Sequence, residues 1–307
     1  MKSVDALLHG LIDYAGLFPP ASEDMRPALE NYASYFAGAD RDALGRFIVP
    51  VSRLSELEEA GSELMPRGKG TTSPWRLSVL VAGEVSAAGE EMVRFNRRHA
   101  TGSKTGHAII DVVEMKATTP EEIPHQLRNL GDAFTSYFEL PLTDDVPALV
   151  TMLARHGARA KVRTGGLSPE AFPAATPIAD FMVACLRERV PFKATAGLHH
   201  PLRGDYRFTY EQDSAKGMMY GYLNVFLAAA LLYVGEPEDT AIAVLESADR
   251  DAFVFEDDAI HWRDKLVSAR QMAAARSEFA IAFGSCSFRE PVDELAVLTH
   301  QARASQT

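Results

Sequence analysis

The sequence predicts an α/β fold: an eight-stranded β/α barrel of the TIM type with a helical insertion between strands seven and eight. Two observations support it. Short apolar runs alternate with longer helical patterns almost from end to end, and parallel strands need such crossovers. The length of 307 residues also suits one barrel, which typically takes about 250 residues, with an insertion.

The strands are predicted from apolar runs that are bounded by turn residues. They cover Ala15–Phe18, Arg46–Pro50, Arg76–Ala82, His107–Glu114, Ser136–Leu140, Ala160–Thr164, Phe192–Ala196 and Ala280–Gly284. The helix after the fourth strand opens with Thr119-Pro120-Glu121-Glu122, and proline and acids favour a helix start. An open doubly wound sheet is the competing arrangement of these elements.

The regular spacing breaks between strands seven and eight, at residues 198–279. The sequence of this segment predicts a polar loop at Gly204–Lys216. Three helices are predicted after it, at Gly221–Val234, Thr240–Glu246 and Ile260–Arg276. A large insertion on one βα connection usually covers the active-site face. We therefore expect one domain over residues 1–307, with the insertion over the C-terminal mouth of the barrel.

Composition excludes several classes of partner. The net charge of −11 provides no basic surplus for nucleic acid, although a local basic pocket can still bind a small anion. The longest apolar stretch, Val225–Val234, is too short to span a membrane. Two isolated cysteines suit a reducing compartment, and the N-terminus lacks the features of a signal peptide. We expect a cytoplasmic protein. Barrels of this kind commonly form homodimers, but the sequence does not fix the oligomeric state.

Basic residues on strands six and seven are the main functional signal. Alternate residues of a barrel strand face the axis, and the apolar residues of strand six suit the outer helices. Lys161 and Arg163 then point inward, as do Lys193 and Thr195 of strand seven. Burial of unpaired ammonium groups is costly, so two neighbouring inward lysines indicate a functional site.

Acidic side chains are predicted close to these cations. Glu114 ends the fourth predicted strand, Glu139 lies on the fifth, and Asp13 lies near the first. Functional residues of this fold occupy the C-terminal strand ends. We expect Glu139 to transfer protons, with Glu114 and Asp13 as further candidates. The alternative is a buried ion-pair network that only neutralises the cations.

Glycines and hydroxyl residues follow the same strands. Glycine allows backbone amides to approach a ligand closely, and the connections after strands seven and eight often bind phosphate in this fold. We therefore expect the small anionic substrate, a phosphate or carboxylate, to contact Arg163, Thr164, Gly165, Gly166, Thr195, Gly197, His200, Ser285 and Ser287. Cys286 is interpreted as a bystander thiol, since nothing in the sequence indicates a lowered pKa.

Two histidines, His199 and His200, directly follow strand seven. Adjacent histidines point apart and rarely bind one metal, so we expect no metal and no cofactor, with metal binding as the less favoured alternative. His199 is instead interpreted as a proton carrier, because its pKa lies near neutrality. Asn224 on the insertion helix is a further candidate at the mouth, or an ordinary packing residue.

Several motifs, taken together, resemble a family of bacterial proteins of about this length that is known as uncharacterised. The motifs are Tyr14-Ala-Gly-Leu-Phe-Pro-Pro-Ala21, Lys161-Val-Arg-Thr-Gly-Gly166, Phe192-Lys-Ala-Thr-Ala-Gly-Leu-His-His-Pro201 and Phe283-Gly-Ser-Cys-Ser-Phe288. The resemblance spans nearly the whole chain and implies no particular activity.

The lysine motifs also resemble those of class I aldolases of the deoxyribose-phosphate aldolase type. Those barrels carry a Schiff-base lysine on strand six, in Lys-x-Ser-Thr-Gly, and a second lysine on strand seven, in Lys-Ala-Ser-Gly-Gly. The resemblance implies that Lys161 forms the imine and Lys193 is the second lysine. The chain departs from the pattern at Arg163, which replaces the small serine, and at His199-His200.

Three functions remain open at this point. The first is a lyase or aldolase in which Lys161 forms an imine and the charge of Lys193 lowers its pKa. The second is a non-covalent isomerase or transferase whose lysines bind an anion. The third is a noncatalytic barrel that binds a metabolite.

Overall fold

The sheet is a closed barrel of eight parallel strands, which confirms the predicted fold class. The computed structural model describes residues 1–68, 73–101 and 105–304. The barrel strands are β1 (Ile12–Tyr14), β2 (Leu44–Pro50), β3 (Trp75–Leu80), β4 (Ala108–Lys116), β5 (Thr135–Glu139), β6 (Arg159–Arg163), β7 (Phe192–Thr195) and β13 (Ala280–Ser285). β13 pairs with β7 and β1, which closes the sheet.

Helices surround this barrel and alternate with its strands along the chain. They are α1 (Lys2–Leu8), α2 (Met25–Ala37), α3 (Leu54–Gly61), α4 (Val85–His99), α5 (Glu122–Leu130), α6 (Val146–Arg155), α7 (Ala175–Arg187), α8 (Tyr222–Tyr233), α9 (Glu238–Glu246), α10 (Ala269–Glu278) and α11 (Arg289–Ala304). Apolar strand residues pack against them: the ring of Phe192 on β7 meets that of Phe181 on α7 edge-on, with centroids 5.5 Å apart. No helix in the described ranges is long and apolar enough to cross a membrane.

The first barrel strand lies earlier in the chain than predicted. Residues Ala15–Phe18 form a turn in which the Phe18 amide donates to the Ala15 carbonyl at 2.9 Å. The strand is the preceding segment, Ile12–Tyr14. The turn is apolar because Leu17 packs into the core, although it belongs to no strand.

The insertion divides into two parts with different structures. Its first part is a hairpin of β8 (Gly204–Arg207) and β9 (Lys216–Met219), where a polar loop was predicted. The second part contains α8, which runs down the outer wall: the ring of Tyr222 stacks on Phe283 of β13, with centroids 5.1 Å apart. Segment 198–279 therefore supplies an outer barrel helix as well as a hairpin, and its predicted position over the mouth stays a prediction.

The predicted helix at Ile260–Arg276 begins later than expected. Its first half belongs to an antiparallel sheet of β10 (Phe253–Phe255), β11 (Ala259–Trp262) and β12 (Lys265–Ser268). A tight turn at Arg263, with a φ of 52°, joins β11 to β12. α10 then starts after Ser268, whose side chain and that of Gln271 form a capping box.

Candidate active site

The lysines of β6 and β7 lie directly opposite one another and both point into the barrel. Lys161 is the register partner of Lys193 in the parallel pair. Lys193 Nζ lies 2.5 Å from Asp13 on β1 and 2.5 Å from Glu114 on β4, and it reaches both strands only through the interior. The alternation of apolar and basic residues in these strands predicted that both lysines point inward, and the structure agrees.

A continuous chain of ion pairs crosses the barrel. Lys161 Nζ lies 2.8 Å from Glu114 Oε2 and 3.1 Å from Glu139 Oε2. Arg163 Nε extends the chain to the rim, 3.5 Å from Glu139 Oε1. The order of charges is Asp13, Lys193, Glu114, Lys161, Glu139 and Arg163, alternating in sign. The network expected as the alternative to a ligand site is thus present, and its charges balance.

Glu114 is the centre of this chain. Only 3% of it is exposed, and its Oε1 accepts a hydrogen bond from Ser78 Oγ at 2.6 Å. Burial alone would raise its pKa, but the charges of Lys161 and Lys193 and their hydrogen bonds outweigh burial and lower the pKa well below the usual range. Glu114 is therefore ionised in the folded protein.

Lys193 is a permanent buried ammonium group. Burial would lower its pKa, but the charges of Asp13 and Glu114 outweigh burial and raise the pKa above its usual range. The ammonium also lies over the Tyr137 ring, 5.2 Å from its centroid. Lys193 thus supplies a fixed positive charge at the base of the site.

Asp13, the second carboxylate that contacts Lys193, is held in position by the nearby backbone of β2. Asp13 Oδ1 accepts the backbone N–H of Arg46 at 2.6 Å. A Cβ atom at Gly45 would lie 2.2 Å from this oxygen, so only glycine fits there. Sequence reasoning missed Gly45, Ser78 and Tyr137, because each acts through a neighbour on another strand and not through a local motif.

A cavity of about 470 Å³ opens on one side of the mouth, beside β3, β4 and β5. Lys161, Glu114, Glu139 and Lys116 are among the residues that line it. Asp13 and Lys193 are not among them and lie beneath the site. Burial would raise the pKa of Glu139, but the charges of Lys161 and Arg163 lower it, so a carboxylate faces the cavity beside the Lys161 amine.

The glycine loops after β6 and β7 pack against each other. Cβ atoms added at Gly165 and Gly197 would lie 2.4 Å and 2.7 Å from the ring of Phe172. The Thr164 hydroxyl donates to the Ala196 carbonyl at 2.8 Å. These glycines therefore let Phe172 approach the two loops closely. Their predicted contacts with a substrate, like those of Gly166 and Thr195, stay a prediction.

The two histidines lie on the other side of the mouth. His199 lines a second cavity of about 250 Å³ with His200, Glu290 and hairpin residues, and the two cavities share no lining residue. His199 Nδ1 lies 3.2 Å from Glu290 Oε2 and 3.8 Å from Cys286 Sγ. Burial would lower the pKa of His199, but Cys286 and Glu290 raise it to about 10. His199 therefore lines a different cavity from Lys161.

The remaining candidates have structural contacts. Ser287 Oγ accepts the Glu290 amide at 3.1 Å at the start of α11, and Ser285 Oγ accepts the Ser287 amide at 3.3 Å. Asn224 donates to the carbonyls of Val244 and Ser247 at 2.7 and 2.8 Å, and it lines neither cavity. Asn224 thus holds the insertion together, which is the packing role that the sequence left open.

Comparison with known proteins adds no argument about the fold or the function of this chain. No protein-family model and no curated protein sequence matches the chain. Among solved structures, it is similar to nitroalkane oxidase from Streptomyces ansochromogenes, at 12% identity over 99% of each chain with a TM-score of 0.35. That similarity carries no functional argument. The chain is a β/α barrel, a fold compatible with an enzyme, and its site must be interpreted from its own residues.

Proposed function

We propose that this barrel is a lyase of the aldolase type, in which Lys161 forms an imine with a small anionic carbonyl compound. The observation that carries the proposal is the position of the Lys161 ammonium, which lies in the cavity wall between two carboxylates. Lys193 contacts the same Glu114 from beneath. The aldolase-type motifs imply the imine at the same residue, Lys161.

The neighbours of Lys161 support this chemistry. An imine forms when the free amine attacks a carbonyl carbon and the carbonyl oxygen leaves as water. Glu139 Oε2, at 3.1 Å, is ionised and can accept the proton that the ammonium must first lose. The fixed charge of Lys193 contacts the same carboxylate, Glu114, and opposes a second positive charge nearby.

Two cations at the rim support an anionic substrate. Lys116 and Arg163 lie 3.6 and 3.5 Å from Glu139 Oε1, and half or more of each side chain is exposed. Solvent-exposed ion pairs are weak, so a phosphate or carboxylate can replace Glu139 as the partner of either cation. Arg163, at the position where the aldolase motif has a small serine, is half exposed and does not line the Lys161 cavity.

A second candidate is a non-covalent isomerase or transferase. The observation that favours it is the ion pairing of both interior lysines, which contact Glu114 and, for Lys161, Glu139 as well. A noncatalytic barrel that binds a metabolite would need the same rim cations. Neither of these alternatives includes a covalent adduct, which is the basis of the test.

Borohydride trapping distinguishes the candidates. Incubation with pyruvate or glycolaldehyde and borohydride should reduce an imine to a stable secondary amine, which peptide mass spectrometry should place on Lys161. Lys161→Arg should abolish the adduct and keep the charge. Lys2→Arg, at an exposed lysine outside this cavity, is the control and should leave trapping unchanged. Absence of any adduct with either carbonyl compound would favour non-covalent binding.

A further inference from the structure

We infer that His200, Glu290 and Glu294 form a binding site for a divalent metal ion beside the second cavity. One imidazole nitrogen and one oxygen from each carboxylate lie within 4.8 Å of one another. His200 Nδ1 is 2.9 Å from both oxygens of Glu294. Ligands on one Zn²⁺ at about 2.0–2.1 Å lie roughly 3 Å apart, so small side-chain movements bring all three onto one ion.

Neighbouring residues hold these ligands in place. Glu290 and Glu294 are four residues apart on α11 and share a face of the helix. The ring of His200 stacks on Tyr206, with centroids 3.6 Å apart and planes inclined by 17°. Such packing fixes the direction of Nδ1, which donates its N–H to Glu294 in this structure and would give up that proton to an ion.

Glu290 is also oriented through one of its two oxygens. Its Oε2 accepts a hydrogen bond from the Tyr210 hydroxyl at 3.1 Å and lies 3.2 Å from His199 Nδ1. Within the described part of the chain, Oε1 has no hydrogen-bond partner. Carboxylates that bind metals are commonly held in this way by a second layer of hydrogen bonds.

The charge of the cluster favours a cation. Among the described residues, neither Glu290 nor Glu294 forms an ion pair with lysine or arginine, and their ion-pair partners are the histidines His199 and His200. Asp293, between them on α11, is by contrast paired with Arg289. One nitrogen and two carboxylate oxygens suit Zn²⁺ or Mn²⁺, and an ion would replace the proton between His200 and Glu294 as the positive partner.

The site is accessible and separate from Lys161. His200 and Glu290 line the cavity of about 250 Å³, which shares no lining residue with the Lys161 cavity. Three protein ligands leave a coordination position open for water or a small anionic ligand, which is the arrangement of catalytic zinc sites. The inference therefore does not depend on an imine at Lys161.

Calorimetric titration of Zn²⁺ into untagged, EDTA-treated full-length protein tests the inference. We expect one Zn²⁺ per chain and an increase in thermal stability, because the ion binds the folded state. Glu294→Gln and His200→Gln should each weaken Zn²⁺ binding by about tenfold or more. Asp293→Asn removes the same charge from the same helix and should leave the affinity unchanged.

Three results would overturn the site: no Zn²⁺ binding by the wild-type chain, unchanged affinity in Glu294→Gln, or equal weakening in Asp293→Asn. Circular dichroism of each variant shows whether it folds; the side chain of Glu294 is 41% exposed, so Gln should be accommodated. For the wild type, Co²⁺ should give the visible absorption of a protein-bound ion, and Zn²⁺ should displace it. Borohydride trapping in EDTA reports on Lys161 independently.

Discussion

Lys161 and Lys193 are register partners on β6 and β7, and their ammonium groups contact different oxygens of a single carboxylate. That carboxylate belongs to Glu114, which is buried and holds two positive charges together. Asp13 and Glu139 then supply the remaining negative charge, one to each lysine. Removal of any one member leaves an unpaired charge inside the barrel, and the consequences can be measured.

Lys193→Met should destabilise the fold by about 3–5 kcal/mol, because it leaves Asp13 and Glu114 without their shared cation. Urea unfolding at neutral pH measures the change in the free energy of unfolding. Lys116→Met, at a lysine whose side chain is 76% exposed, should change stability by less than about 1 kcal/mol.

The double variant Lys193→Met with Asp13→Asn checks the cause of that loss. It removes one charge of each sign, so it should be more stable than the two single changes predict when they are added. A double variant that is simply additive would contradict the assignment of the loss to an unpaired charge.

Much of the barrel could be predicted because its signals are local. Seven of the eight strands were predicted at overlapping positions, since each is an apolar run with a distinct boundary. The inward direction of the Lys161 and Lys193 side chains could be predicted because the residues next to them in each strand are apolar and face the outer helices. The first strand was misplaced because Ile12–Tyr14 has three residues, and the apolar turn after it resembles a strand.

The site was less predictable because it depends on contacts between distant residues. The register of β4 against β3 shifts between Leu77 and Ser78, and β4 continues through Lys116 instead of ending at Glu114. Glu114 was consequently only a further candidate, although it is the centre of the network. The pairing of His199 and His200 with α11 joins residues about 90 positions apart, which no local pattern indicates.

Acid should weaken the fold through Glu114 and Glu139, whose pKa values are lowered by the lysines and Arg163. A lowered pKa gives stability that is present above the unfolded value, about 4.3, and lost as pH falls towards the folded value. The free energy of unfolding should therefore decrease below about pH 4.3. Glu139→Gln should reduce that slope by up to about 1.4 kcal/mol per pH unit.

The control for this pH dependence is Glu90→Gln, at a carboxylate whose side chain is 71% exposed. It should keep the wild-type slope within experimental error, since exposed ion pairs contribute little. An identical slope in Glu139→Gln would contradict the contribution of Glu139.

Gly197→Ala should destabilise the loop after β7 by about 2–4 kcal/mol. Its φ of 74° lies in the left-handed region, and the added Cβ would lie 2.7 Å from the Phe172 ring. Gly157→Ala separates the two effects, because Gly157 has a φ of 64° but no atom within 4 Å of the added Cβ. It should cost only about 1–2 kcal/mol. Urea unfolding of both variants gives the comparison, and equal losses would exclude a steric contribution from Phe172.

The charge of Lys193 should control the pH at which Lys161 reacts. The test uses the charge-balanced variant Lys193→Met with Asp13→Asn, so that lost stability does not dominate the result. Without Lys193, Glu114 is left to pair with Lys161 alone, and the like charge on the other side of that carboxylate is gone. Loss of a proton from the Lys161 ammonium should then be less favourable than in the wild type.

Borohydride trapping with pyruvate, followed from pH 6 to pH 10, should therefore be slower than wild type at neutral pH and recover at high pH. Mass spectrometry of the digested protein identifies the modified lysine at each pH. An unchanged pH profile would show that the charge of Lys193 does not act on Lys161. An adduct on Lys193 in the wild type would exchange the roles of the two lysines, because the amine of Lys193, after losing its proton, would then be the nucleophile.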